Sequence, residues 1–254
     1  MKTTCFDHLV SIQAERGAAF VVLLDPDKLP LPEIESRVAL CEEASADAFF
    51  VGGSLVHSAD TDVFVRQVQA FTKLPVIGFP GSVAQISASL DAVLYLSVVS
   101  GRNPDFLFGR HVYVAPLIRR LGLEAIPTAY MLVESGTLTT AQYMSHSLPL
   151  PRSKPEIAAA TALAAEMMGM RLLFLDCGSG ADESVPIDMI ESVRATCESP
   201  IVVGGGLRTS RSISDRVVAG ASVIVVGNTF EQAVNGSYIQ DLADAAHHME
   251  SKPL

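Results

Sequence analysis

A chain of 254 residues has the usual length of one large α/β domain, and with 49% of it apolar and no Trp its core must be built from Val, Ile, Leu, Ala and Met. A formal charge of -10 excludes nucleic acid and anionic membrane surfaces as partners drawn in by the mean field, so a phosphorylated ligand needs local donors. Cys5, Cys41, Cys177 and Cys197 form no CxxC pair, and no apolar run nears the roughly 20 residues that cross a bilayer, so a cytoplasmic protein with no transmembrane segment, zinc site or disulfide framework is expected.

Along the chain, β-rich apolar runs recur at 20–24, 48–51, 76–79, 92–96, 125–128, 172–175, 201–203 and 223–226. Each ends in a Gly, Pro, Ser or Asp cluster and is followed by helical spacing. After the first run, Ile34, Val38, Cys41 and Ala44 mark one helical stripe. After the fourth, Asn103-Pro104 places a capping side chain before a proline at the first helical position. After the fifth, 131–154 lacks periodicity and reads as a loop over the active face, closed by Ser153, Pro155 and Glu156 at the start of an Ala-rich helix. After the sixth, Ile187, Ile190, Val193 and Cys197 form another stripe.

Continuous apolar strands alternating with helices predict right-handed βαβ units and a parallel sheet buried on both faces. No GxGxxG follows the first run, whereas glycine clusters follow the last ones. That placement favours a single (β/α)8 TIM-type barrel over 1–254, with phosphate-binding loops after strands 6, 7 and 8, rather than a doubly wound sheet.

The glycine clusters carry the chemistry. VVGGGLR at 202–208 and VVGN at 225–228 can turn backbone N–H groups toward a phosphate, because glycine lets a ligand approach the main chain closely. Gly205, Gly206, Gly227 and Asn228 are the candidate contacts; a plain tight turn is the other reading of the triple glycine. Phe174-Leu175-Asp176-Cys177-Gly178-Ser179-Gly180 ends strand 6 at the same cavity, where Ser179 and nearby N–H groups can serve the phosphate. Asp176 is there either a general base or a loop cap.

Across the mouth, LLDPDK ends strand 1 and VGGS ends strand 2. Asp25 with Ser54 as an oxygen neighbour suits Mg²⁺, which takes few protein oxygens and completes its shell with water and phosphates. Asp27 and Lys28 read equally as site residues or as a turn. Arg102, in LSVVSGRNP after strand 4, offers a planar donor fork for a second phosphate or diphosphate, or is a surface residue before a helix. Phe79, Tyr95, Phe106 and Tyr130 are candidate lining of an apolar groove and equally candidate core. The six histidines form no HExxH or comparable metal pattern.

In order and without a large gap, LLDPDK, FFVGGS, PVIGFPGS, LSVVSGRNP, AIPTAYMLVESG, FLDCGSGA, VVGGGLR and VVGN resemble the geranylgeranylglyceryl phosphate synthase family, which includes heptaprenylglyceryl phosphate synthases. The resemblance implies transfer of a polyprenyl group, geranylgeranyl above all, from its diphosphate to the distal hydroxyl of sn-glycerol 1-phosphate. An ether forms and diphosphate leaves, in a Mg²⁺-dependent step of phospholipid biosynthesis, and a homo-oligomer is implied as well. Carried onto this chain, the metal role falls on Asp25 and Ser54. The glycerol phosphate role falls on 174–180, Gly205, Gly206, Gly227 and Asn228, the acid is Asp176, and Tyr130 is retained. The family usually reads Tyr-Leu-Glu where this chain has Phe174-Leu175-Asp176. One phenol is lost and the carboxylate is a methylene shorter, a retreat of roughly 1.5 Å. Ala129 stands where the family's PTGY has Gly.

Three other readings stay open on sequence. One is a barrel prenyltransferase with another phosphorylated acceptor such as 3-phosphoglycerate. A second is a sugar-phosphate isomerase or lyase, which leaves DPDK and SGRNP unexplained. The third is a non-catalytic barrel that binds a phospholigand.

Overall fold

The computed structural model describes residues 4–57, 59–227 and 236–247. Its eight strands are β1 (Ala19–Leu24), β2 (Ala48–Val51), β3 (Val76–Gly78), β4 (Ala92–Val98), β5 (Glu124–Leu132), β6 (Leu172–Asp176), β7 (Ile201–Gly204) and β8 (Val223–Val226). They pair in parallel in sequence order, and β1 closes on β8 through the register Ala19↔Val223 to Val22↔Val226. The helices of the outer ring are α2 (Ile34–Glu43), α3 (Thr61–Phe71), α4 (Arg110–Leu121), α6 (Pro155–Met167), α7 (Ile187–Thr196), α8 (Ser210–Val218) and α9 (Gly236–Ala246), and two more, α1 (Cys5–Arg16) and α5 (Thr140–Ser145), lie outside that repeat. Among the described residues no helix is long and apolar enough to cross a membrane.

Strand alternation divides the apolar side chains into two cores. Val21, Phe50, Ile77, Ile126, Phe174 and Val202 pack inside the barrel, while Phe20, Phe49, Leu173 and Val203 pack outward against Val38, Cys41, Ile190 and Ile213 of the helices. Burial on both faces is why these strands read as unbroken apolar runs rather than as alternating ones. A fully buried Phe contributes about 2–3 kcal/mol, so the outward pair Phe20 and Phe49, both at 0% exposure, stabilises the sheet–helix layer as strongly as any inner residue.

The amino-terminal edge of the barrel is closed. Helix α1 starts at Thr4, whose hydroxyl accepts from the Asp7 N–H, and drives Leu9 into the inner core. Glu124, the first residue of β5, accepts from the N–H groups of Cys5 and Phe6 at 2.6 and 3.2 Å, so its carboxylate meets two orphan donors at the positive end of the helix. Asp47, before β2, accepts from the Phe20 N–H at 2.7 Å and pairs with Arg16 and His247.

Three local expectations need correction. The stretch 131–154 is not an irregular loop: β5 runs on to Leu132, Val133 bridges to Leu150, and α5 lies between them. A capping box starts α5, with the Thr139 hydroxyl accepting from the Gln142 N–H and the Gln142 side chain accepting from the Thr139 N–H. Ser153 is not the cap of α6; that position belongs to Lys154, which makes no side-chain cap, and Pro155 fixes the first turn by its own φ. Asn103 does cap its turn, Oδ1 accepting from Asp105 N at 3.1 Å, but the first turn is a π turn over Asp105–Gly109 before α4 begins.

Candidate functional site

At the carboxyl ends of the strands lies a cavity of about 210 Å³ that is lined from all eight strand ends, β5 contributing Tyr130 and, through α5 in the segment after it, Ala141, Met144 and Ser145. On one side are the loops after β6, β7 and β8. Gly205 and Gly206 have φ of +81° and +69°, a backbone that other residues adopt only with strain. They also allow a packing that no side chain would permit. A Cβ on Gly205 would lie 2.8 Å from Gly178 N and 2.9 Å from an Asp176 oxygen, and one on Gly206 would lie 2.7 Å from the backbone of Glu183 and Ser184. The β7 loop is thus pressed onto the β6 loop, leaving a glycine-rich cradle of Gly178, Ser179, Gly180, Gly205 and Gly206 facing the cavity, with Gly227 alongside. Asn228 lies outside the described residues.

Lys28 reaches this cradle from β1, its Nζ 3.4 Å from Ser179 Oγ and 3.4 Å from Asp25 Oδ2. Asp27 turns the other way and holds the β2 loop, accepting from the N–H groups of His57 and Ala59 and pairing with the His57 ring at 2.8 Å. The DPDK segment therefore combines both readings: Lys28 belongs to the site and Asp27 to the turn. Asp25 and Ser54 line the cavity together. Gly53 leaves room over the Asp25 carboxylate, since a Cβ there would stand 3.3 Å from Oδ2.

Asp176, 7% exposed, lines the cavity beside the glycine cradle. Its Oδ2 accepts from the Tyr130 hydroxyl at 2.5 Å and its Oδ1 from the Gly178 N–H at 2.8 Å. Burial pushes the Asp176 carboxyl above the ordinary carboxylate range, against the opposing pull of those two donors. Burial, with the adjacent carboxylate, also pushes the Tyr130 phenol well above its usual value. Register explains the pair, for Tyr130 of β5 lies opposite Phe174 of β6, two residues before Asp176 on the same face. The Tyr130 ring is wedged edge-on against Phe79 and Phe174, at 5.7 and 5.4 Å between centroids.

The far side of the cavity is apolar. β3 has only three residues and gives way to Phe79-Pro80, so it pairs with β4 only at Ala92 and Val93, and a proline could not have extended the ladder. The wall is low there, and the cavity passes over it onto both faces of β4 and the inner face of α4, lined by Tyr95, Leu96, Phe106, Val114 and Ile118. All four aromatic candidates, Phe79, Tyr95, Phe106 and Tyr130, line it. His111 joins them, and burial holds its imidazole below the usual value, which keeps a neutral ring in an apolar groove.

Three sequence candidates need correction. Leu175 and Cys177 sit one residue out of phase with Phe174 and Asp176, so their side chains belong to the sheet–helix layer. Burial pushes the Cys177 thiol up to about 12, the inert form of the residue. Arg102 donates to the carbonyls of Val99 and Gly101 in its own loop, at 3.2 and 2.7 Å, and its side chain does not line the cavity. Arg110 does line it, with its guanidinium 3.8 Å over the Phe106 ring. Arg110 was readable in advance: it follows Phe106 by four residues in the first turns of a helix that starts at the strand-end loop, and such a pair shares a face. Arg208 also lines the cavity while donating to the carbonyls of Ala181 and Asp182.

Eight parallel strands, glycine loops after β6 and β7 and a buried acid at the mouth define a phosphate-handling (β/α)8 barrel enzyme. The chain belongs to the PcrB family, whose sequence profile matches residues 10–246. It is 42% identical over 247 residues to the geranylgeranylglyceryl phosphate synthase of Chitinophaga pinensis, covering 97% of each chain. It is 47% identical over 214 residues to that of Spirosoma linguale, covering 84% of this chain and 86% of the relative. Among solved structures, it superposes with a TM-score of 0.90 and 29% identity on (S)-3-O-geranylgeranylglyceryl phosphate synthase from Thermoplasma acidophilum in complex with its substrate sn-glycerol-1-phosphate, covering 95% of this chain and 98% of that one.

Proposed function

We propose that this protein is a prenyltransferase that joins a geranylgeranyl group from its diphosphate to the distal hydroxyl of sn-glycerol 1-phosphate, forming an ether and releasing diphosphate. The observation that carries this reading is one continuous cavity with a backbone cradle at one end, an apolar groove at the other and a buried carboxylate between them. An isomerase or lyase of small sugar phosphates has no use for the groove over β4.

In this reading the N–H groups of Gly205 and Gly206, with Ser179 and Lys28, hold the acceptor phosphate. Fixing that end turns the distal hydroxyl toward the allylic carbon and replaces a bimolecular encounter by a positioned one. The prenyl chain lies along Tyr95, Phe106, Val114 and Ile118. Arg110, stacked on Phe106, faces the donor diphosphate with a fork suited to phosphate oxygens. Asp176 is the sink for the acceptor proton.

Mg²⁺ belongs to the same proposal. The Asp25 carboxylate and the Ser54 hydroxyl are hard oxygen donors, and the bare Gly53 leaves space over Asp25 that any side chain would fill. A bound Mg²⁺ supplies positive charge that stabilises the departing diphosphate. A homo-oligomer is also part of the reading, supported by the exposed apolar face of α4, where Val112 and Tyr113 are 57% and 81% exposed, a surface of the kind that subunits cover.

Product formation from sn-glycerol 1-phosphate and radiolabelled geranylgeranyl diphosphate, with and without Mg²⁺ and with 3-phosphoglycerate in parallel, tests the reading. A metal-dependent ether product, lost in Asp25→Ala, is expected. Product only with 3-phosphoglycerate would reassign the acceptor, and no product with any pair would overturn the enzymatic reading.

A further inference from the structure

The carboxylate that receives the acceptor proton does not meet the acceptor alone. Asp176 Oδ1 is taken by the Gly178 N–H and walled in by the β7 loop, where Cβ atoms on Gly204 and Gly205 would lie only 3.4 and 2.9 Å from it. Its Oδ2 is covered by the Tyr130 hydroxyl at 2.5 Å. The Tyr130 ring cannot swing aside, because Phe79 and Phe174 hold it edge-on and stack on each other at 5.2 Å. Phe174 brings no second hydroxyl to the carboxylate. With a chain one methylene shorter than a glutamate, the acid borders the cavity with one oxygen held by a backbone N–H and the other by the hydroxyl of Tyr130, which lines the same cavity.

We propose that Tyr130 is the catalytic residue that takes the acceptor proton, relaying its own to Asp176; this rests on the prenyl transfer proposed above. The acceptor oxygen forms its bond to the allylic carbon as the bond from that carbon to the diphosphate oxygen breaks, and diphosphate leaves with the electron pair. The acceptor hydroxyl proton passes to Tyr130 Oη, and the Tyr130 proton passes to Asp176 Oδ2. Tyr130 ends neutral, as it began, and Asp176 ends protonated, returning its proton to water once the products leave. A phenol held well above its usual value by burial rests as the neutral hydroxyl, so it serves by passing a proton through rather than by standing ready as an anion. The raised Asp176 carboxyl makes the end of the relay a better proton acceptor.

The relay is separable from direct transfer to Asp176 by measuring single-turnover ether formation at saturating substrates and Mg²⁺ for wild type, Tyr130→Phe and the double variant Tyr130→Phe/Asp176→Glu. Calorimetric binding of sn-glycerol 1-phosphate to each reports whether the site survives. The relay predicts a loss of about 100-fold or more in Tyr130→Phe, the range of general acid–base catalysis, with acceptor affinity within three-fold of wild type. It also predicts recovery of at least ten-fold in the double variant, where the longer acid spans the gap left by the hydroxyl. Tyr130→Phe within three-fold of the wild-type rate overturns the relay, as does a large loss that the glutamate fails to recover. Wild type giving no ether at all overturns the underlying reading and the relay with it, a result distinguishable because it does not depend on any variant.

Discussion

Replacing Gly205 by Ala tests the cradle at its tightest point, and the fold provides its own control. Gly122 closes α4 in the left-handed region, at φ +69°, and a Cβ there would meet nothing within 4 Å. Gly122→Ala therefore carries the backbone strain alone, roughly 1 kcal/mol. Gly205→Ala carries similar strain at φ +81° and adds three contacts of 2.8–2.9 Å with the Gly178 backbone and the Asp176 carboxylate. Overpacking of that kind adds about 2 kcal/mol, for a total of about 3 kcal/mol. At this chain length each kcal/mol lowers the melting temperature by about 3 °C, so losses near 3 °C for Gly122→Ala and near 9 °C for Gly205→Ala are expected by calorimetry. Relief of the clash moves the β7 loop off the β6 loop by some tenths of an ångström to an ångström, enough to cost on the order of 100-fold in turnover. Calorimetric affinity for sn-glycerol 1-phosphate should fall at least ten-fold in Gly205→Ala and stay unchanged in Gly122→Ala. If the two variants melt within 2 °C of each other and bind the acceptor alike, the loops are not packed as described and the cradle argument fails.

Two more predictions concern charge. Asp176→Asn should lower turnover by about 10²- to 10⁴-fold yet melt at or above wild type at pH 8. Burial raises the folded-state pKa of Asp176, so between the unfolded and folded values the folded protein holds the extra proton, and stability falls as pH rises through that window. The neutral amide escapes this loss, and the advantage should shrink toward zero in acid melts; an Asn variant less stable than wild type at pH 8 would contradict it. Arg110→Ala should raise KM for the prenyl diphosphate at least ten-fold while Arg102→Ala leaves it within two-fold, and steady-state kinetics showing the reverse would restore the sequence assignment.

Much of the barrel was legible because strands buried on both faces are unbroken apolar runs, and each of the eight was placed within a few residues. The strand count and the glycine loops led to the same architecture from independent signals. What escaped was set by orientation and by local caps. Leu175 and Cys177 flank Asp176 at the end of β6, but alternation sends them to the opposite layer, a distinction the motif string does not carry. Arg102 stood in the expected loop while the useful guanidinium lay at Arg110, the first residue of α4 after the π turn, on the Phe106 face. Helix α5 was hidden in a stretch without apolar period, although Thr139 and Gln142 mark its start. The role of helix α1 has no local sequence signal because it depends on Glu124, more than a hundred residues away.

That plug beneath the barrel has a kinetic corollary. Among the described residues the lower end is covered by Leu9 and by the Glu124 clasp on α1, so in the reading proposed above traffic runs through the mouth, where the ether's head would lie in the glycine cradle and its tail in the groove over β4. The ether keeps the contacts of the acceptor head and of the prenyl tail in one covalent body, losing only those of the diphosphate, so slow release is expected. An acceptor phase for the lipid, such as detergent or vesicles, then becomes a determinant of the cycle rather than a convenience of the assay, because it supplies the driving force for the step that chemistry alone leaves unfinished.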